Sequence, residues 1–245
     1  MKTVLITGAS SGIGQQLALD YLNAGWQVIA CGRNLDKLAA LKQQAAEPDH
    51  CQTLSFDVTE RATVLAVGQQ LTQRLDLVIL NAGTSLYIED AKHFDSERFT
   101  RLITINLLGM GYCLEAFTRH IPPGGQLALV GSSAYLFPFT RAEAYGASKA
   151  AIAYLAQSLS LDLKPHQITV SLITPGFVAT PLTDQNDFPM PMRISVSQAA
   201  ADIRRGLAKR KALISTPASF VFFLRLLNRL PYRVQLWLAQ SLVRS

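Results

Sequence analysis

Short runs rich in Val, Ile and Leu recur along the chain and alternate with longer stretches whose apolar positions fall at helical spacing. The runs near residues 2–7, 26–31, 51–56, 75–80, 125–131, 168–173 and 212–215 predict strands. The stretches near 12–24, 35–46, 60–73, 95–119, 143–163 and 197–209 predict helices. Strand–helix alternation at this spacing makes parallel βαβ units, whose right-handed crossovers cover both faces of one sheet. The expected fold is therefore α/β, a doubly wound parallel sheet of about seven strands with helices on both faces.

Composition narrows the class. A chain of 245 residues with 49% hydrophobic and 16% charged residues can bury one large core and is not a disordered polymer. Strand-like sequence begins at Thr3, and no basic and apolar leader pattern precedes it, so a signal peptide is not expected. Cys31, Cys51 and Cys113 are odd in number and lack a C-x-x-C spacing. They suit buried, reduced positions in a cytoplasmic protein better than a disulfide framework, and no metal site is expected. The net charge of +6 is concentrated: residues 203–245 hold nine Lys or Arg and no Asp or Glu. Such a tail points to an anionic neighbour.

Thr7-Gly8-Ala9-Ser10-Ser11-Gly12-Ile13-Gly14 follows the first strand and opens the first helix. Glycines there let the turn close and let backbone N–H groups approach a pyrophosphate, which makes Gly8, Ser10, Ser11, Gly12, Ile13 and Gly14 nucleotide-site candidates. The second strand ends at Gly32-Arg33, without the carboxylate that would accept from a ribose 2′-OH and repel a 2′-phosphate. Arg33 alone could be an ordinary surface residue, but with that carboxylate missing it favours NADP(H) over NAD(H). Asp57-Val58 and Asn81-Ala82-Gly83 close the third and fourth strands, where they either meet the adenosine moiety or simply make turns.

Tyr145 and Lys149 stand at i and i+4 on one face of a helix. An unperturbed phenol titrates near pH 10, and a nearby ammonium would lower that value toward a useful acid/base. The ordered set Thr7-Gly8-x-x-x-Gly12-x-Gly14, Asn81-Ala82-Gly83, Asn106, Ser132, Tyr145-x-x-x-Lys149 and Pro175-Gly176 closely resembles the short-chain dehydrogenase/reductase family, from about residue 2 to about 215. The resemblance implies a Rossmann-type fold and a set of roles. Tyr145 would be the general acid in carbonyl reduction, Lys149 would lower its pKa and bond the nicotinamide ribose, and Ser132 would hold the substrate oxygen. Asn106 would anchor a water in a proton relay, and Pro175, Gly176, Val178 and Thr180 would seat the nicotinamide carboxamide. Ser133 competes with Ser132, but the family spacing of thirteen residues before the tyrosine selects Ser132. Two departures are mild: Ser11 stands where many NADP(H) users carry Lys or Arg, and bulky Tyr135, where a small residue is common, would narrow the substrate pocket.

Residues 1–216 thus read as the dinucleotide-binding catalytic domain and 217–245 as a basic, apolar helical extension of it, broken at Pro231. Phe188, Met190 and Met192, with Leu136, Phe137 and Phe139, form either an apolar, adaptable pocket or part of the core. The extension is expected over the substrate pocket or a subunit interface, with in-plane contact on an anionic membrane as the alternative; nucleic acid is not expected. Arg225, Arg229 and Arg233 interrupt any run long enough to span a bilayer. The resulting expectation is an NADP(H)-dependent oxidoreductase acting on a small carbonyl or alcohol, assembled as a dimer or tetramer. A regulatory nucleotide binder or a membrane-surface scaffold is the alternative; neither needs a complete proton relay.

Overall fold

The computed structural model describes residues 1–243. Seven parallel strands form one sheet: β1 (Thr3–Thr7), β2 (Gln27–Gly32), β3 (Cys51–Ser55), β4 (Leu77–Leu80), β5 (Gln126–Val130), β6 (Thr169–Pro175) and β7 (Leu213–Thr216). Their spatial order is β3-β2-β1-β4-β5-β6-β7, so the winding reverses between β1 and β4. Crevices open outside the carboxyl ends of the strands at such a reversal. This is the Rossmann-type arrangement that the strand–helix alternation predicts.

Every residue of β1, β4 and β5 is buried, because helices cover both faces of the central strands. Alternation along β1 divides the core. Val4 and Ile6 join Leu17, Leu38, Leu41, Ile203 and Leu207, from helices α1 (Gly12–Asn23), α2 (Leu35–Gln44) and α7 (Val196–Ala208). Leu5 faces the other layer, with Val64 of α3 (Arg61–Gln70), Phe117, and Ile152 of α6 (Glu143–Asp162). Side chains of Asn34 and Ser195 cap α2 and α7 by accepting from backbone N–H groups one turn on.

The helix expected over 95–119 differs in one respect. It runs as α4 (Ser96–Ile103), a π-helical turn over Thr104–Leu108, and α5 (Gly109–Phe117). The π turn inserts one residue's worth of phase, and this brings Asn106 wholly inside. There its amide bonds to both Thr84 and Ser148, which a regular helix would have to forgo.

Beyond β7 the chain passes a cis Thr216–Pro217 bond into α8 (Ala218–Asn228) and then α9 (Tyr232–Val243). These helices sit on a third apolar cluster in which Phe220, Val221 and Leu224 meet Leu136 and Phe137, with Leu238 and Ala239 at its edge. No helix among the described residues is long and apolar enough to cross a membrane.

Phe117 is fully buried and tilts against Phe56, 6.1 Å between ring centres. Phe117→Ala is expected to lower unfolding free energy by about 3–5 kcal/mol, read from urea denaturation. A loss below about 1 kcal/mol would mean that this layer can collapse around the hole.

Candidate active site

The glycine-rich turn is built by close approach. Gly8 has φ +68°, and a Cβ there would lie 2.9 Å from the Ala82 backbone. A Cβ on Gly14 would stand 2.3 Å from the Gly8 carbonyl oxygen and 2.5 Å from Asn81 Nδ2. Asn81 uses that amide to donate to the carbonyls of Thr7 (3.1 Å) and Gly8 (3.2 Å). In return, Thr7 Oγ1 accepts from the N–H groups of Asn81 (3.0 Å) and Ala82 (3.1 Å). The ends of β1 and β4 are thereby clasped together. The Ser11 side chain does not cap α1, so the first N–H groups of that helix gain no partner from it.

Below this clasp lies a cleft of about 350 Å3, lined among others by Gly8, Ser10, Ser11, Gly12 and Ile13. Arg33, Asp57 and Val58 line one part of it, and Asn81, Ala82 and Gly83 another. Pro175, Gly176, Val178 and Thr180 complete the wall beside Ser132, Tyr145 and Lys149. Arg33 is exposed and pairs with Asp57 at 3.1 Å. Burial pushes the Asp57 carboxyl up, but the Thr59 N–H and hydroxyl and the Arg33 guanidinium outweigh it, so its pKa lies below the ordinary value. Gly14 and Asn106 do not line the cleft: Gly14 closes the turn from behind, and Asn106 is enclosed in the protein.

At the reacting end, Lys149 is buried and its Nζ donates to the Val130 carbonyl at 3.1 Å. Burial lowers its pKa from 10.5 to about 8. Tyr145 is half-buried, with the Lys149 nitrogen 5.7 Å from its ring centre. Burial raises the phenol's pKa, opposed by Ser132 and reinforced by Tyr87, and Lys149 is not among its causes. The two groups share one low-dielectric interior, and the lysine is turned to the Val130 carbonyl. Ser132 Oγ accepts from the Ala134 N–H at 3.1 Å, and its hydroxyl is within hydrogen-bond reach of the Tyr145 phenol. The Asn106 side-chain amide bonds to Thr84 and Ser148. As a result it ties the loop after β4 to α6. Gly83 fits between, since a Cβ there would lie 3.2 Å from Asn106 Oδ1 and 3.6 Å from Lys149 Nζ.

A second, more apolar cavity of about 430 Å3 adjoins the cleft, and Ser132, Tyr145, Gly176, Leu182 and Thr183 line both. Phe137, Phe139 and Phe188 line it as the apolar pattern suggests, and Ser133 reaches only this cavity. Three expected residues stand elsewhere. Met192 is turned outward at φ +56°, Met190 lies off the cavity against the Asn186 amide, and Leu136 packs into the cluster under α8. Tyr135 also packs into core clusters, so it does not narrow the cavity.

Sequence reasoning missed much of this rim. Tyr87 donates to Asn186 Oδ1 at 2.8 Å and stacks edge-on with Phe188. Arg141, at φ +62°, pairs with Glu89 at 2.7 Å and Asp187 at 2.9 Å across the opening. These partners lie dozens of residues apart, and no local spacing marks them. Thr183, whose hydroxyl donates to the Val178 carbonyl and accepts from Thr180 N–H at 3.0 Å, gave only the weak signal of a third Thr near Pro175-Gly176. Phe223, Leu224, Leu227 and Ala239 bring the C-terminal helices into the cavity wall.

Comparisons with known proteins agree with this geometry. A family model described as short chain dehydrogenase matches residues 2–189. An uncharacterised oxidoreductase of Myxococcus xanthus is 34% identical, over 94% of this chain and 93% of its own. An NADP-dependent 3-hydroxy acid dehydrogenase of Salmonella typhi is 32% identical, over 71% of this chain and 72% of its own. Among solved structures, a short-chain dehydrogenase from Sphingobium yanoikuyae in complex with NADPH superposes with a TM-score of 0.76 at 25% identity, covering 89% of each chain. With its seven-stranded sheet, glycine-rich turn and Tyr145-x-x-x-Lys149 pair in one cleft, the chain belongs to the short-chain dehydrogenase family of oxidoreductases.

Proposed function

We propose that the protein is an NADP(H)-dependent oxidoreductase that interconverts an apolar ketone or aldehyde with its alcohol. One observation carries the reading: the Tyr145 phenol lies where a glycine-walled cleft meets an apolar cavity. The cleft suits a dinucleotide. Its floor is the close-packed Gly8–Gly14 turn, α1 opens on it without a side-chain cap, and Arg33 stands where a carboxylate is missing. Arg33 would leave Asp57 for the 2′-phosphate, and the names of an NADP-dependent relative and an NADPH-bound neighbour support that choice. When bound, the nicotinamide supplies or accepts the hydride.

The chain's own residues then handle the oxygen and its proton. Burial keeps the phenol of Tyr145 protonated at neutral pH, the state required of a general acid in reduction. Ser132, whose hydroxyl reaches the phenol, would turn its proton to the same substrate oxygen and orient the carbonyl. Lys149, with its pKa near 8, holds a proton at Nζ that can be passed toward the phenolate left by turnover. Asn106 acts as a positioning residue through Thr84 and Ser148. The apolar walls of the second cavity select for lipophilic substituents.

Three measurements test this reading. Tyr145→Phe should lower kcat by about 10²–10⁴-fold while NADPH affinity, read by fluorescence titration, stays within about threefold. Retained turnover refutes the assignment, whereas tight NADPH binding by the native protein without turnover on any carbonyl favours a regulatory binder. Arg33→Asp should weaken NADPH about 10–100-fold and leave NADH nearly unchanged; equal losses would remove the 2′-phosphate role. The third concerns pH. Because the folded-state pKa of Lys149 is about 8 against 10.5, the unfolded chain binds the extra proton between those values. Lys149 therefore penalises folding below about pH 8, and the penalty fades as pH rises toward 10.5. In the cofactor-free protein, the urea midpoint of Lys149→Met should exceed that of the native chain at pH 7, with the gap shrinking by pH 10. A gap independent of pH would contradict the buried-lysine account.

A further inference from the structure

Helices α8 and α9 use one stripe each to close the apolar cavity and leave the other stripe bare. On α8, Phe220, Val221 and Leu224 face inward, while Phe222 is 62% exposed and Phe223 and Leu226 are exposed beside Arg229. On α9, Leu238 and Ala239 pack inward, while Trp237 is 66% exposed and Tyr232 73% exposed beside Leu236 and Arg233. Among the described residues, Arg225, Arg229 and Arg233 form no ion pair, and the sequence holds no Asp or Glu from Ile203 to its end. Arg225 turns to Ser215 Oγ at 3.4 Å, but exposed Arg229 and Arg233, set among aromatic and aliphatic side chains, match the headgroup boundary of an anionic bilayer. They match a second protein surface less well, since that would have to bury the arginines or bring its own carboxylates. Neither helix is long and apolar enough to cross a membrane, which leaves an in-plane position.

The same helices form a wall of the cavity. Phe223, exposed on the bare side, also lines the cavity with Leu224, Leu227 and Ala239. The bare face and the cavity therefore meet at one rim. We propose that α8 and α9 dock in the plane of an anionic lipid surface, and that the cavity receives its carbonyl or alcohol substrate from the lipid phase. The substrate class is then a long-chain or polycyclic ketone, aldehyde or alcohol that partitions into bilayers. This last point rests on the reading given under Proposed function; the docking does not.

Vesicle co-sedimentation of the full chain tests the proposal, using phosphatidylcholine alone and phosphatidylcholine with about one-third phosphatidylglycerol. The native protein should bind the anionic vesicles at least about tenfold more tightly than the neutral ones. Trp237 emission should shift to the blue as they are added. The double variant Phe222→Glu/Trp237→Glu should lose at least about tenfold in binding, and Arg229→Glu/Arg233→Glu should do the same by charge alone. Neither pair lines the cleft or the cavity, so NADPH titration and turnover of a water-soluble carbonyl should match the native protein in both. Should one variant fail to bind NADPH through misfolding, the other carries the test. Absence of vesicle binding by the native chain, binding unchanged in the variants, or a dimer that both variants dissolve would each overturn docking; the last would identify a second copy as the occupant. Turnover of a lipophilic ketone no faster from anionic vesicles than from detergent would overturn entry from lipid. Failure of the native chain to bind NADPH would remove the reductase reading and leave the vesicle result standing.

Discussion

Two turns that leave no room for side chains meet where the sheet reverses its winding. The Gly8 and Gly14 backbones are so close to Asn81 and Ala82 that neither could carry a Cβ without displacing main chain. The clasp between Thr7 and Asn81 holds the turns in that position by paired hydrogen bonds. A single β-branched hydroxyl and a single carboxamide satisfy donors and acceptors that would otherwise be stranded at the ends of two buried strands. From this junction the cleft takes its depth, α1 takes its start, and Gly83 is carried onward over Asn106 and Lys149.

The second consequence is electrostatic. Bringing Lys149 inside lowers its own affinity for a proton, and bringing Tyr145 beside it raises the phenol's. Desolvation moves both groups toward their neutral forms, so their proton affinities are driven apart without any direct contact between them. An ordinary phenol and an ordinary ammonium differ little in proton affinity in water. In this interior they differ in the opposite sense to a simple lysine-assisted phenolate, with the amine the more easily deprotonated group. Such ordering follows from burial alone and leaves the proton on the tyrosine more tightly held than the one on the lysine.

The parts legible in the sequence are those written in local spacing. Consecutive apolar runs gave each strand to within about two residues, because burial on both faces demands unbroken apolar sequence at β1, β4 and β5. The glycine turn and the Tyr145-x-x-x-Lys149 pair are likewise short-range, and both line the cleft. What could not be read depends on segments far apart in the chain. Tyr87, Arg141 and Asp187 come together only because α6 starts beside the loop after β4 and the loop after β6 folds over both. The π turn at Asn106 was invisible for a related reason: its composition is helical, and only the tertiary bonds to Thr84 and Ser148 reward the extra residue. Apolarity leaves Met190 and Met192 open between pocket and core, and it does not fix direction when the backbone at Met192 adopts a left-handed conformation.

Cleft and cavity are therefore built by different rules, though they share the wall at Ser132 and Tyr145. The cleft is assembled from strand ends, whose positions the sheet register fixes to within the reach of a hydrogen bond. The cavity is assembled from the loop after β4, the loop before α6, the loop after β6 and the two C-terminal helices, held across its mouth by Arg141 between Glu89 and Asp187. Exposed ion pairs of this kind contribute little net stability, so the rim can yield while the cleft keeps its shape. Substitutions in α8 or α9 at Phe223, Leu224, Leu227 or Ala239 would reshape the cavity at residues that do not line the cleft. That separation leaves a rigid cleft, fixed by strand ends, beside a cavity whose shape is set by loops and helices.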